Sequence, residues 1–201
     1  MKKVIVVGAT GTIGQSVCDT LQSHNYEIIR VSRSGDIQVD IADLGSIKAM
    51  YDKIGTFDAL VSSTGKVTFK LLAEMTEADF MLGLHNKLMG QVNLVQEGLK
   101  CINDNGSFTL TTGILNCEPI ALGASAAMVN AALEGYIKAA SLELRQQVRI
   151  NAVSPTVITE ALPSYGPFFP GFKSVSASDA AQAYLRSIAG IETGQVFKVG
   201  F

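Results

Sequence analysis

The sequence predicts an α/β fold, a doubly wound parallel sheet of about seven strands with helices on both faces. Three observations carry that prediction. Short apolar runs alternate with longer amphipathic segments along the whole chain, the pattern of parallel strands joined by crossover helices. The first run, Lys3 to Val7, is rich in β-branched residues and closed by Gly8, as a strand buried on both faces should be. With 201 residues, 47% of them apolar, the chain is long enough for one domain with a sizeable core, spanning 1–201, and too short for two ordinary ones.

In chain order, the first strand (3–7) gives way through a glycine turn to a helix over 12–23. Further strands are expected near 26–31, 36–40, 57–62, 107–112, 148–153 and 195–199, with helical patterns near 43–53, 76–103, 122–146 and 178–189. The link between the second and third strands, SRSGD, is too short for a crossover helix, so the third strand is expected at a sheet edge. The Pro- and Gly-rich stretch PSYGPFFPG at 163–171, within a loop near 159–176, is expected to form a substrate loop.

Composition excludes several functions. Sixteen Lys and Arg against 18 Asp and Glu give a net charge of −2, which leaves no basic stripe for nucleic acid. Apolar stretches end well short of the ~18 residues that span a bilayer, so no membrane partner is expected. The apolar part of Lys2-Lys3-VIVVGATG is too short for a secretory signal, and a cytoplasmic location is expected. Cys18, Cys101 and Cys117 are far apart with no C-x-x-C, and His24 and His85 are the only histidines, so neither a disulfide framework nor a metal site is expected.

Residues 8–14 read GATGTIG, placing Gly8, Gly11 and Gly14 where a buried strand meets a helix whose first N–H groups favour an anion. Thr10, Thr12 and Ile13 complete that turn. A tight turn needs glycines whatever its ligand, so the spacing alone is modest evidence for a nucleotide. The second strand ends Val31-Ser32-Arg33-Ser34, where an acid would meet the ribose 2′-hydroxyl of NAD. An arginine flanked by Ser32 and Ser34 hydroxyls suits a 2′-phosphate, so the expected cofactor is NADP(H) rather than NAD(H). A solvated arginine on a turn is the plain alternative.

On these residues and five ordered segments the sequence resembles the short-chain dehydrogenase/reductase family, over nearly its whole length. GATGTIG resembles the family's glycine turn. Asp40-Ile41 looks like the pair that holds the adenine ring. Phe57 to Gly65, FDALVSSTG, is similar to D-x-L-V-N-N-A-G, whose end lines the cofactor, here Ser62, Ser63, Thr64 and Gly65. Ala132 to Gly135 and Ser141 to Leu144 resemble the second half of the long active-site helix. Arg149 to Thr156, RINAVSPT, is similar to R-V-N-A-V-S-P-G, and implies that Pro155, Thr156 and Val157 meet the nicotinamide carboxamide. The start of the last strand, Thr193 to Val196, fits as well. The resemblance implies a Rossmann fold, hydride transfer, a small-molecule substrate, and a homodimer or homotetramer through the helices near 76–103 and 122–146.

The catalytic positions depart from the family. Its members place a Tyr and a Lys four residues apart on one helix, the ammonium lowering the phenol pKa while the phenol protonates the substrate oxygen. Alignment through Ala131 to Gly135 puts Ala126 at the Tyr position and Asn130 at the Lys position. The partner hydroxyl falls on Thr112, and Lys87 of Lys87-Leu88-Met89-Gly90 stands where the family has an Asn, with Asn86 one place early. The candidate catalytic set is therefore Lys87, Thr112, Asn130 and Tyr165, with Lys87 also a candidate for the cofactor ribose. Each has a structural alternative: Lys87 as a cation on backbone carbonyls, Tyr165 as apolar cover. His85 and Tyr136 read as structural, and GASAA at 123–127 lacks the preceding strand of a serine-hydrolase elbow. Two functions remain open, an NADP(H)-dependent oxidoreductase acting on a small carbonyl or alcohol with an atypical proton-donor set, and an inactive NADP(H)-binding sensor.

Overall fold

A computed structural model describes all 201 residues. Six parallel strands form one sheet in the order β2-β1-β3-β4-β5-β6: β1 Lys3–Val7, β2 Glu27–Val31, β3 Phe57–Ser62, β4 Ile102–Thr111, β5 Arg149–Pro155 and β6 Val196–Val199. The central strands are apolar on both faces, and two separate clusters pack there. One face carries Ile5, Leu60, Phe108 and Leu110 against α2 (Leu44–Ile54), α4 (Gly90–Gly98) and α5 (Ala124–Ala140). The other carries Val4, Val6 and Val61 against α1 (Thr12–Ser23) and α7 (Ala177–Ala189). No helix is long and apolar enough to cross a membrane.

The seventh strand expected at 36–40 does not form. After Ser32 the chain turns through Gly35, whose φ is 123°, and returns with a single bridge from Gln38 to Ser32. Only Val39 of that segment is buried, too little apolar surface to hold a ladder at the sheet edge. Strand β4 begins at Ile102 rather than near 107, with a register shift against β3 between Phe57 and Ala59.

The helix expected over 76–103 is α3 (Glu77–Gly83) and α4 joined by a π-helical stretch, Leu84–Met89, and it stops at Gly98. A capping box between Thr76 and Asp79 opens it. The helix expected over 122–146 ends at Ala140, where the amides of Leu142 and Glu143 bond back only three residues, to Ala139 and Ala140; Gln146 and Gln147 then turn the chain with φ of 56° and 59°. The loop at 163–171 is less irregular than its sequence suggests: α6 (Leu162–Tyr165) and a 3-10 turn, Gly166–Phe168, run through it.

Half-buried polar residues tie these layers. Arg149 donates to the carbonyls of Ser187, at 2.5 Å, and Ile188, at 2.9 Å, near the C-terminal end of α7. Asp58, at the start of β3, accepts from the Lys3 amide at 2.6 Å and from Asn103 at 2.8 Å, which fixes that end of the sheet and leaves the opposite end to the site.

Candidate functional site

From β1 the chain moves outward to β2 and from β3 outward the other way to β4, and a cleft opens at the C-terminal ends of β1 and β3, where α/β sheets take ligands. Its polar half is a cavity of about 300 Å³. Gly8, Thr10 and Gly11 line it from the first turn, Ser32 and Arg33 from the end of β2, and Asp40 and Ile41 from the segment that follows. Ser63, Thr64, Gly65 and Lys66 are shared with an apolar half of about 500 Å³. That half is walled by Ile13, Val67, Phe69, Ile114, Leu115 and Phe169, with Pro155, Thr156 and Val157 along one side.

The polar half can take an anionic, extended ligand. Gly11 precedes helix α1 with no side-chain cap, so the first amides of the helix, from Thr12 on, are free. Gly14 lies beneath rather than in the cleft: a Cβ there would sit 2.0 Å from the Gly8 carbonyl oxygen, so only glycine lets the helix close on the turn. Arg33 is exposed and has no ion-pair partner. Asp40 Oδ1 accepts from the Ala42 amide at 3.0 Å, and its second oxygen is free. Ile41 is wedged against α4, where a Cβ on Gly90 would fall 2.8 Å from its Cδ1.

Not every expected cofactor residue lines the cleft. Thr12 and Ser34 do not, and Ser34 instead accepts the Ser32 hydroxyl through its carbonyl. Ser62 is fully buried under the floor, where its carbonyl accepts from Thr111 Oγ1 at 2.5 Å. Cys117 and His85 are exposed and outside both cavities.

Lys87, Thr112 and Asn130 meet at the back of the apolar half. Lys87 Nζ donates to Asn130 Oδ1 at 2.7 Å and to the Thr112 carbonyl at 3.2 Å, and Asn130 Nδ2 donates to the Gly113 carbonyl at 3.1 Å. No carboxylate pairs with this ammonium, and burial pulls its pKa down from 10.5 to about 8. Tyr165 lines the same cavity from α6, 44% exposed, its ring centroid 6.1 Å from that of Phe69.

A family model described as Enoyl-(Acyl carrier protein) reductase matches residues 8–196. The chain belongs to the short-chain dehydrogenase/reductase family. Among solved structures, a protein from Listeria innocua is 44% identical, with 99% of this chain and 100% of that one covered and a TM-score of 0.97. A small-chain dehydrogenase in complex with NADPH is 28% identical over 98% and 96% of the two chains, with a TM-score of 0.88. A glucose/ribitol dehydrogenase from Brucella melitensis, 19% identical over 98% and 94%, shares the fold at a TM-score of 0.85. No curated protein matches the chain.

Within this short-chain dehydrogenase/reductase the position aligned with the family's Tyr, Ala126, is 3% exposed and lines the apolar cavity. Lys87 on the π-helical stretch and Asn130 on α5, at the positions where the resemblance implies an Asn and a Lys, are hydrogen-bonded to each other. The π-helical stretch carries Asn86 and Lys87 side by side: Asn86 Oδ1 accepts from the Lys66 amide at 2.7 Å while Lys87 reaches the back wall.

Sequence reasoning missed Glu134 and Lys66. Thr112 Oγ1 donates to Glu134 Oε1 at 3.3 Å. Glu134 stands four residues after Asn130 on α5, and that spacing was the available signal. Lys66 follows the quoted FDALVSSTG and lines both halves of the cleft.

Proposed function

We propose that the protein is an NADP(H)-dependent oxidoreductase that moves hydride to or from a small carbonyl or alcohol, with a proton-donor set in which no phenol occupies the usual place. The observation that carries this reading is the two-part cleft, a polar half fitted to a dinucleotide running into an apolar half with a lysine at its back. The residues fit the cofactor. The free amides at the start of α1 suit a diphosphate, Asp40 the adenine amino group, and unpaired Arg33 a 2′-phosphate. Thr156 Oγ1 is buried in the wall of the apolar half without any partner, as a group awaiting a ligand carboxamide would be.

When bound, the nicotinamide supplies or accepts the hydride. The chain's own residues do the rest. Phe69, Phe169 and Tyr165 exclude water from the apolar half. In this reading Thr112, which lines the cavity, takes the substrate oxygen, and Asn130 holds Lys87, whose charge stabilises negative charge developing on that oxygen or binds a ribose hydroxyl. A second reading, a sensor that binds NADP(H) without turnover, draws its support from Ala126 and Asn130, which stand where the resemblance implies the Tyr and the Lys.

The deciding experiment is fluorescence titration with NADPH and NADH. Wild-type protein should favour NADPH, and Arg33→Ala should weaken NADPH binding by between about tenfold and a hundredfold, the worth of a charge-assisted contact, with NADH little changed. Equal affinity of the wild-type protein for both dinucleotides would remove the assignment of Arg33. Binding without turnover of any carbonyl or alcohol would move the reading to the sensor.

A further inference from the structure

Thr112 is 4% exposed and faces two ways, with its residue lining the apolar cavity and its hydroxyl 3.3 Å from Glu134 Oε1. An ionised carboxylate can only accept, so Thr112 donates to it. Glu134 lies outside the cleft on the half-exposed face of α5. Of the neighbouring polar groups, Lys87 donates to Asn130 and to the Thr112 carbonyl and keeps one N–H for the cavity, and Asn130 donates to Gly113. A hydroxyl whose proton is given to a carboxylate can offer a ligand only its lone pairs, and the complementary ligand group is a hydroxyl donor.

We propose that Thr112 and Glu134 form a proton relay, with Glu134 the terminal acceptor of the substrate hydroxyl's proton in place of the phenol absent at Ala126. The proposal rests on the oxidoreductase reading and names its substrate class, an alcohol and the carbonyl made from it. In the oxidative direction the carbinol C–H bond breaks and both electrons leave with the hydride, so the alcohol is oxidised and NADP+ is reduced. The O–H bond breaks as its proton passes to Thr112 Oγ1, and the proton Thr112 held passes to Glu134. The carbon-oxygen double bond forms, and Glu134 returns its proton to solvent from its half-exposed face. The reductive direction runs the same transfers backwards. Glu134 does not touch substrate in this scheme; it acts through Thr112.

The test uses 1-phenylethanol and acetophenone, whose ring suits an aromatic-walled cavity, with wild-type protein, Glu134→Ala and Thr112→Val. Acetophenone affinity is measured with NADP+ present, a combination that cannot react. Removing Glu134 frees the Thr112 proton for the ketone, so Glu134→Ala should bind acetophenone up to about tenfold more tightly. The same variant should lose about a hundredfold in kcat for alcohol oxidation with KM little changed, and added acetate should restore part of it. Thr112→Val should lose as much, with no rescue by acetate. Wild-type kcat in Glu134→Ala, or a loss that acetate does not touch together with unchanged acetophenone affinity, would overturn the relay and leave the oxidoreductase reading standing. Wild-type protein that binds and converts neither probe would overturn both.

Discussion

Lys87 holds its charge where charge is costly. Its ammonium rests on two neutral oxygens, and its pKa falls from 10.5 to about 8 through burial. Below pH 8 the lysine is protonated both in the fold and in the unfolded chain, so the full cost of the buried charge is present. Between about 8 and 10.5 the unfolded chain binds more protons than the fold, and stability rises with pH. The gain is at most about 3 kcal/mol. Urea unfolding of wild type and Lys87→Met should therefore show the wild type gaining on the variant from pH 7.5 to 10.5; a pH-independent difference would mean the ammonium is solvated. Activity runs the other way. On the proposed oxidoreductase reading the charged form stabilises a developing alkoxide, so carbonyl reduction should decline as pH rises through about 8, a limb Lys87→Met should lack. Lys87, Thr112 and Asn130 were legible in the sequence because the segments around them fix the alignment. Glu134 was not, since a glutamate on a helix looks solvated until the direction of the Thr112 hydroxyl is known.

At the scale of elements, strand positions were legible wherever short, mostly apolar runs are buried on both faces, as in Lys3–Val7 and Phe57–Ser62. Periodicity could not show that the helix over 77–98 widens into a π turn, because one changed hydrogen-bond register leaves the apolar pattern nearly intact. That turn is what lets adjacent residues serve different walls, Asn86 the loop after β3 and Lys87 the back of the cavity. The same loop passes Lys87 so closely that a Cβ on Gly65, where φ is 141°, would lie 2.5 Å from the Lys87 Cγ. Gly65→Ala should cost about 2 kcal/mol or more in thermal or urea unfolding, from strain at that φ together with the clash. Asn86→Ala leaves φ and packing alone but frees the Lys66 amide. It should weaken NADPH binding by up to about tenfold with a change in stability below about 1.5 kcal/mol, measured by titration and urea melts. A variant that binds NADPH as the wild type does would show that the Asn86 bond does not order the loop.

For the whole molecule, the sheet order puts every candidate group at one end of the sheet and leaves the outer surfaces of α4 and α5 without a role in the site. On α5, Met128, Ala131, Ala132 and Gly135 recur at helical spacing and are all exposed, with nothing within 4 Å of where a Gly135 Cβ would stand. Met89, 41% exposed, lies at the start of the neighbouring helix. Small residues in such a row let two helix backbones approach closely, and the homodimer or homotetramer that the resemblance implies would use this face. Sedimentation should then give a mass at least twice the 21.3 kDa of the chain. Ala132→Arg, exposed in the protomer and therefore harmless to its fold, would put a charge and about six more heavy atoms into the close approach and shift the protein toward monomer. The cleft belongs to one chain, so NADPH affinity in that variant should stay within about threefold of the wild type, an energetic difference under about 1 kcal/mol. A wild-type protein that sediments as a monomer would assign the exposed stripe to no self-association, and an Ala132→Arg protein of unchanged mass would move the interface to another face.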